Sequence, residues 1–458
     1  MEGVAISPTE EGESLECSAK SAFRPIQYLG SKLRSADAIS SEVDRLSSPN
    51  GLVVDLFTGS TVVAQTLSNR RHRVAAVDSL YFCTVLARAF LGVGREKEKD
   101  GWDNRLFDFA TRSLNSNLRA IWEDWITRER LCLENKDGAG LVEMSKFIPQ
   151  AWQKTVPVTK DLQNHFDAVS GFSCDQKAET GICSSYYAGS YFGIEQSVQI
   201  DELRSSIELA MEAGIVGDWA YNVALSSLIS AMSDSVYSAG KHFAQPHLAR
   251  DGKDLSFHEK RILQDRSIDI FTRFREKVAS ISTASSANEL DNIVLHKSME
   301  QIVETPEVLH QAKVFYADPP YTAQQYSRFY HIPEIIASNQ TPDLQLAKGE
   351  VTRGIYPKNR FKSRFCSKRS APAAFRDLVK LASSFEASLV ISYSDSTSGI
   401  TGNDRMISLE ELMAICRDRY QLVQYKRLGH SYRQFNQSPS RVDGQLDKEV
   451  LVICERPC

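Results

Sequence analysis

No C-x-x-C pair occurs in the 458-residue chain. Its cysteines (Cys17, Cys83, Cys132, Cys174, Cys183, Cys366, Cys416, Cys454, Cys458) are scattered, so neither a zinc site nor a disulfide framework is signalled, and no metal is expected. Such thiol usage fits a reducing cytoplasm. No run of eighteen apolar residues exists, so no membrane-spanning helix is expected. The opening MEGVAISPTEEGESLECSAKSA has no basic start and no apolar stretch, so residues 1–22 read as a disordered tail rather than a signal or transit peptide. G-x-G-x-x-G is missing, which argues against a pyrophosphate-cradling dinucleotide site. Internal repeats and long low-complexity tracts are absent too. Excess positive charge is lacking: the net charge of −4 argues against a protein that coats nucleic acid indiscriminately. A local basic face is still present, because Arg353 to Arg369 (RGIYPKNRFKSRFCSKR) carries seven Lys or Arg residues and no acid.

What remains is a globular pattern long enough for two domains, or for one α/β domain with a large insertion. GLVVDLFTGSTVVAQTLSNRRHRVAAVDS reads as strand (Leu52 to Phe57), glycine-bearing turn, helix (from Thr61) and strand (Val74 to Val77), a βαβ unit that implies a parallel sheet. Five further strand-like runs follow much later: Asn292 to Ser298, Lys313 to Asp318, Glu386 to Ser394, Gln421 to Arg427 and Lys448 to Arg456. Between them the pattern is helical, with amphipathic stretches at Leu106 to Trp125, Ile200 to Ala213, Ala220 to Ser238 and Lys260 to Val278. The expected organisation is a catalytic domain from residues 23–94 and 289–458, interrupted by a helical insertion over residues 95–288. That insertion is acidic overall, with 31 Asp or Glu against 24 Lys or Arg from Arg95 to Glu300. If it reads nucleic-acid sequence, it does so with a few directed side chains rather than a broad positive field.

Three carboxylates mark the carboxyl ends of strands, where open α/β sheets bind ligands: Asp55 before FTGS, Asp78, and Asp318 before PPY. Gly59 permits close backbone approach at the mouth of the first loop, and Asp78 stands where a carboxylate can take both ribose hydroxyls of a nucleoside-like ligand. Singly, each has a bland alternative, a solvated turn or a helix cap. Pro319 and Pro320 offer no N–H and lock their own φ, so the strand ends in a rigid corner with Asp318 on one side and Tyr321 on the other.

Together, DLFTGS, AVDS and ADPPY resemble the class I S-adenosylmethionine-dependent methyltransferases that methylate the exocyclic amine of adenine. QYLGSKLRSADAI, ahead of the first strand, is similar to the segment preceding the cofactor loop in Dam-like, alpha-group DNA adenine methylases, where a Gly-x-Lys lies on the wall of the methionine pocket. YYAGSYFGIEQSVQIDELRSSIE and DPPYTAQQYSRFYHIPEII resemble further blocks of that family. The resemblance covers roughly residues 23–90, 186–246 and 292–455. It implies an α/β class I (Rossmann-like) seven-stranded sheet with a mostly helical insertion, and S-adenosyl-L-methionine as cofactor. Tyr28, Gly30, Lys32, Asp55, Phe57, Gly59, Ser60, Asp78 and Asp318 are then the expected cofactor residues. Asp318, Pro319, Pro320 and Tyr321 are the expected catalytic ones: Asp318 and the Pro319 carbonyl accept the N–H groups of a flipped-out base, and Tyr321 offers a stacking face. Tyr326, Arg353, Lys358, Arg360, Lys362 and Arg364 are the expected contacts to double-stranded DNA, and restriction-modification with a companion endonuclease is the implied setting.

Tyr330 and His331 stand just past the corner, as walls of the base pocket or as core. Tyr187, Tyr191 and Phe192 read as insertion core. Two departures are visible: Ser298 stands where many family members carry an acid, and Thr61 replaces a glycine of the first loop. Other substrates stay open, namely RNA adenine or cytosine-N4, as does a non-catalytic DNA-binding regulatory module on the same scaffold. Cytosine enzymes more often carry Ser at the position of Asp318, and enzymes acting on RNA or protein amides more often carry Asn, so Asp favours DNA adenine.

Overall fold

A computed structural model describes residues 22–113, 116–153, 158–170, 181–247, 255–285, 290–394, 404–432 and 447–456. The tail expected over residues 1–22 therefore lies outside the described residues, apart from Ala22. Seven strands form the main sheet: β1 Leu52–Asp55, β2 Arg73–Asp78, β3 Ile293–His296, β4 Ala312–Ala317, β5 Ser388–Ser394, β6 Leu422–Tyr432 and β7 Asp447–Glu455. Their order across the sheet is β3-β2-β1-β4-β5-β7-β6. The first five are mutually parallel, while β7 runs antiparallel to both β5 and β6. The sheet is thus mixed at one side, and β6 continues past the expected end at Arg427 because it pairs with β7 as far as Tyr432 and Asp447.

Alternation along the strands decides what covers each face. Val53, Val314 and Tyr316 meet Ile39, Val43 and Leu67 from helices Ala36–Leu46 and Val62–Asn69. Their neighbours Val54 and Phe315 meet Phe375, Leu378 and Leu412 from helices Ala371–Ser384 and Leu409–Arg417 on the other side.

The segment between β2 and β3 is helical, and it does not stand apart from the sheet. Helices Ile194–Glu212 and Asp218–Ser235 are buried almost all round, as befits central helices. They share one core with Phe82 and Phe90 of the helix after β2 and with Ile332 and Ile336 of helix His331–Ser338 after β4. Trp219 Nε1 donates to the Ala89 carbonyl at 3.0 Å across that junction. Tyr187, Tyr191 and Phe192 are fully buried here.

Two of the stretches expected to be helical are each divided between two helices. Leu106 to Trp125 divides into Trp102–Arg112 and Ser116–Glu134. Lys260 to Val278 divides into Leu255–Arg266 and Ile270–Ala284, because the Asp269 carboxylate accepts from Thr272 N at 2.7 Å and caps a new helix. No helix among the described residues is long and apolar enough to cross a membrane.

The order reverses at β1 and β4, whose connections leave in opposite directions, and the register sets the carboxylates on one rim. Asp55 pairs with Ala76 on one side and Tyr316 on the other. Asp78 and Asp318 each lie two residues beyond that level, Asp78 as the last residue of β2 and Asp318 just past the end of β4.

Candidate active site

The turn after β1 is shaped by two residues with left-handed backbone. Gly59 has φ +50°, and its N–H donates to Asp78 Oδ2 at 2.9 Å; a Cβ there would lie 2.9 Å from the Tyr28 ring. Thr61, at φ +67°, adopts the conformation expected of the glycine it replaces, at a backbone cost of about 1–2 kcal/mol. Its N–H reaches the Thr58 carbonyl at 2.8 Å, and its hydroxyl accepts from Gln65 Nε2 at 2.8 Å. The substitution leaves the loop its left-handed step.

Asp78 is tied into the same loop: Oδ1 accepts from Leu80 N and Oδ2 from Gly59 N, both at 2.9 Å. Burial pushes its carboxyl up to about 6, against the pull of those two N–H groups. Asp55 is only 1% exposed, and among the described residues no donor lies at good hydrogen-bonding geometry to either oxygen, although Thr58 and the Phe57 N–H pull its pKa down. Burial, with the charges of Asp318 and Asp78 adding to it, pushes Asp55 up to about 7. A cationic donor bound beside such a weakly satisfied buried carboxyl would stabilise its charged form.

Tyr28, Gly30 and Lys32 come from the segment before the first helix. The Tyr28 ring stacks on Tyr330 at 4.7 Å, and Gly30, at φ +72°, leaves room for the Tyr326 hydroxyl. Lys32 turns inward, and its Nζ lies 2.8 Å from Asp318 Oδ2, 3.4 Å from Glu449 Oε1 and 3.1 Å from the Gly30 carbonyl. Burial works against the Lys32 charge, but the two carboxylates outweigh it and hold its pKa well above the ordinary lysine value. For Asp318 burial outweighs the attraction of Lys32, so its carboxyl is raised to about 6. At neutral pH both partners are charged.

These residues line two clefts that share Tyr28, Phe57 and Asp318. The larger, of about 710 Å³, runs past Asp78, Leu80, Met299 and Pro320. The smaller, of about 290 Å³, is walled by Gly30, Lys32, Asp55, Gly59 and Ser60. Every residue expected to hold the cofactor therefore lies on one or both. Each cleft carries a carboxylate suited to a different group: Asp78 on the larger could accept from ribose hydroxyls, and Asp55 on the smaller from an ammonium.

Several side chains have surroundings that the sequence did not signal. Ser298 is a helix cap in a reciprocal pair with Gln301, and Glu300, two residues on, lines the larger cleft. Arg405 lays its guanidinium over the Tyr321 ring at 4.9 Å, while Met406 N donates to the Tyr321 carbonyl at 3.1 Å. A base stacked on that face of Tyr321 would have to displace the guanidinium. Glu449, from β7, is a second carboxylate on Lys32. The sole sequence signal for it was a charge at the head of an apolar strand.

The expected DNA contacts divide. Arg353, Lys358 and Lys362 are exposed. Arg360 stacks over Tyr356 at 4.9 Å, and Arg364 pairs with Asp377 at 2.8 Å, so both are engaged within the protein. Tyr326 stands in the wall of the larger cleft, its hydroxyl donating to the Leu29 carbonyl at 3.0 Å. Tyr330 is buried, its hydroxyl accepting from Leu29 N at 2.6 Å. His331 is buried among the rings of Tyr187, Tyr191 and Tyr356, and burial pushes it down to about 3, so it is neutral packing.

The sheet order, with its reversed β7 and a ligand cleft at the β1/β4 switch, is that of a class I methyltransferase fold. Comparison with known proteins gives the nearer likeness. The chain is 28% identical over 394 residues to modification methylase StsI of Streptococcus sanguinis, covering 86% of this chain and 46% of that protein. Modification methylase LlaI of Lactococcus lactis subsp. lactis is 26% identical over 271 residues, 58% of this chain and 37% of that one. Type II methyltransferase M.FokI of Planomicrobium okeanokoites is 21% identical over 430 residues, 93% and 52%. The chain thus spans about half the length, or less, of the curated relatives it matches. No family model matches it.

Proposed function

We propose that this chain is a site-specific DNA adenine-N6 methyltransferase that uses S-adenosyl-L-methionine, acting in the cytoplasm on double-stranded DNA within a restriction-modification system that includes a companion endonuclease. The observation that carries the reading is Asp318, fixed at a proline-locked strand end, charged at neutral pH through Lys32, and common to both halves of the cleft. The relatives' names, modification methylases, support the DNA substrate. Asp at the head of the PPY corner supports adenine.

An adenine amine is a weak nucleophile because its lone pair is delocalised into the ring. Asp318 accepts one amine N–H and the Pro319 carbonyl the other, which favours a more tetrahedral nitrogen. Both acceptors are oriented before substrate arrives, so little reorganisation is needed at the moment of reaction. Bound in the cleft, S-adenosylmethionine supplies the electrophilic methyl group. Asp78 holds its ribose, and Asp55 its ammonium. The helical segment between β2 and β3 contributes target recognition, and Arg353, Lys358 and Lys362 contact phosphates.

Two substitutions test the assignment. Asp318→Ala should lower single-turnover methyl transfer by on the order of 10²–10³ while cofactor affinity changes far less. Asp78→Ala should weaken cofactor binding instead. Turnover retained in Asp318→Ala would remove the role given to that residue.

A further inference from the structure

We infer that Glu449 is a positioning residue for methyl transfer: it divides the Lys32 ammonium between two carboxylates and so keeps one oxygen of Asp318 available to the substrate amine. The inference rests on the methyl-transfer reading above and deepens it. An ammonium has three N–H donors. The Lys32 ammonium donates to the Gly30 carbonyl at 3.1 Å and forms ion pairs with Asp318 Oδ2 at 2.8 Å and Glu449 Oε1 at 3.4 Å. No hydrogen bond to Asp318 Oδ1 is seen among the described residues.

Glu449 is held as firmly as the lysine it holds. Its Oε2 accepts from the Ser35 hydroxyl at 2.8 Å, and Ser35 is 2% exposed. Its backbone is fixed by pairing with Ser394 of β5. The Ser394 hydroxyl in turn accepts from Arg405 Nη2 at 2.6 Å, and Arg405 covers Tyr321. Residues on β5 and β7 thus brace both sides of the corner.

Charge explains why the brace matters. Asp318 and Glu449 together carry one more negative charge than Lys32 neutralises, and the surplus is what an amine N–H at Asp318 experiences. Without the Glu449 charge, Lys32 faces Asp318 alone. The released N–H can then turn to Oδ1, and the remaining pair is neutral. Asp318 would be a poorer acceptor and, for the same reason, easier to ionise, because the Glu449 charge is one of the influences that raise it.

Glu449→Gln keeps the shape and the bond from Ser35 while removing the charge. The experiment compares wild type, Glu449→Gln and Glu449→Asp by single-turnover methyl transfer to duplex DNA from pH 5 to 9, and by calorimetric affinity for S-adenosylhomocysteine. The expected result is a rate lower by on the order of tenfold in Glu449→Gln, with the acid limb moved to lower pH. Affinity for S-adenosylhomocysteine should stay within about threefold, and Glu449→Asp should recover part of the rate. An unchanged rate and limb in Glu449→Gln would overturn the inference. So would rate and affinity falling by the same factor with the limb in place, which describes a merely structural residue. Wild-type protein that binds S-adenosylhomocysteine but methylates no DNA would overturn the proposed function itself, and it is recognised before any variant is made.

Discussion

Replacing Lys32 with Met isolates the electrostatics of the site from its chemistry. The substitution keeps a side chain of similar length and removes the cation between Asp318 and Glu449. Breaking a buried ion pair by removing one partner costs about 3–5 kcal/mol. The side chain of Asp318 keeps 20% of its exposure and that of Glu449 10%, so the lower end, about 3 kcal/mol, is the expected loss at pH 8. The dependence on pH follows from sign. Asp318 titrates near 6 with Lys32 present, above its unfolded value, and Lys32 is what holds it that low. Removing the cation raises the folded value further. Below about pH 6 the Asp318 carboxyl is largely protonated in both proteins, so the part of the deficit owed to Asp318 shrinks and the part owed to Glu449 remains. Above it the variant continues to lose stability as pH rises, while the wild type has levelled off. With about 2.1 cal/mol/K of unfolding entropy for each of 458 residues, 3 kcal/mol is a fall of about 3 °C in Tm at pH 8. Calorimetric scans of both proteins at pH 5.5 and pH 8 measure it. Equal deficits at the two values, or a larger one at pH 5.5, would refute the reasoning.

Three other outcomes follow from the geometry. Gly59→Ala puts a Cβ within 2.9 Å of the Tyr28 ring at a left-handed φ, so both stability (by about 1–3 kcal/mol) and cofactor affinity should fall, read by urea midpoint and calorimetry. Methyl transfer by the wild type should decline below about pH 6 as Asp318 takes up a proton and stops accepting the amine N–H, visible in a single-turnover pH profile. Lys358→Glu with Lys362→Glu, both exposed, should lower the slope of log affinity against log salt by about 1–2 in a DNA-binding titration, whereas an unaltered slope would make that stretch a solvated loop.

The parallel strands were legible because each is a short apolar run, and three of them end in a carboxylate, Asp55, Asp78 or Asp318, which fall on one rim. The divisions between helices were not. Amphipathic periodicity survives across Ser267 to Asp269, and only the capping bond from Thr272 shows that a new helix begins. The left-handed Thr61 could not be read either, since β-branched residues rarely adopt that backbone. Lys32 was legible through its Gly-Ser-Lys setting, but its partner Glu449 lies 417 positions away on a strand expected only for its apolar residues, and one sequence carries no sign of that contact. Arg405 was hidden in the same way, as a lone cation in a polar stretch. The basic segment read as one face, yet Arg360 and Arg364 are spent on Tyr356 and Asp377.

The most direct test of the central claim is to incubate the protein with methyl-labelled S-adenosylmethionine and mixed-sequence duplex DNA, digest to nucleosides, and identify the labelled one. Label in N6-methyldeoxyadenosine is the predicted result. Label in N4-methyldeoxycytidine would contradict the base assigned to Asp318, and cofactor binding without label in any DNA nucleoside would contradict the proposed activity as a whole.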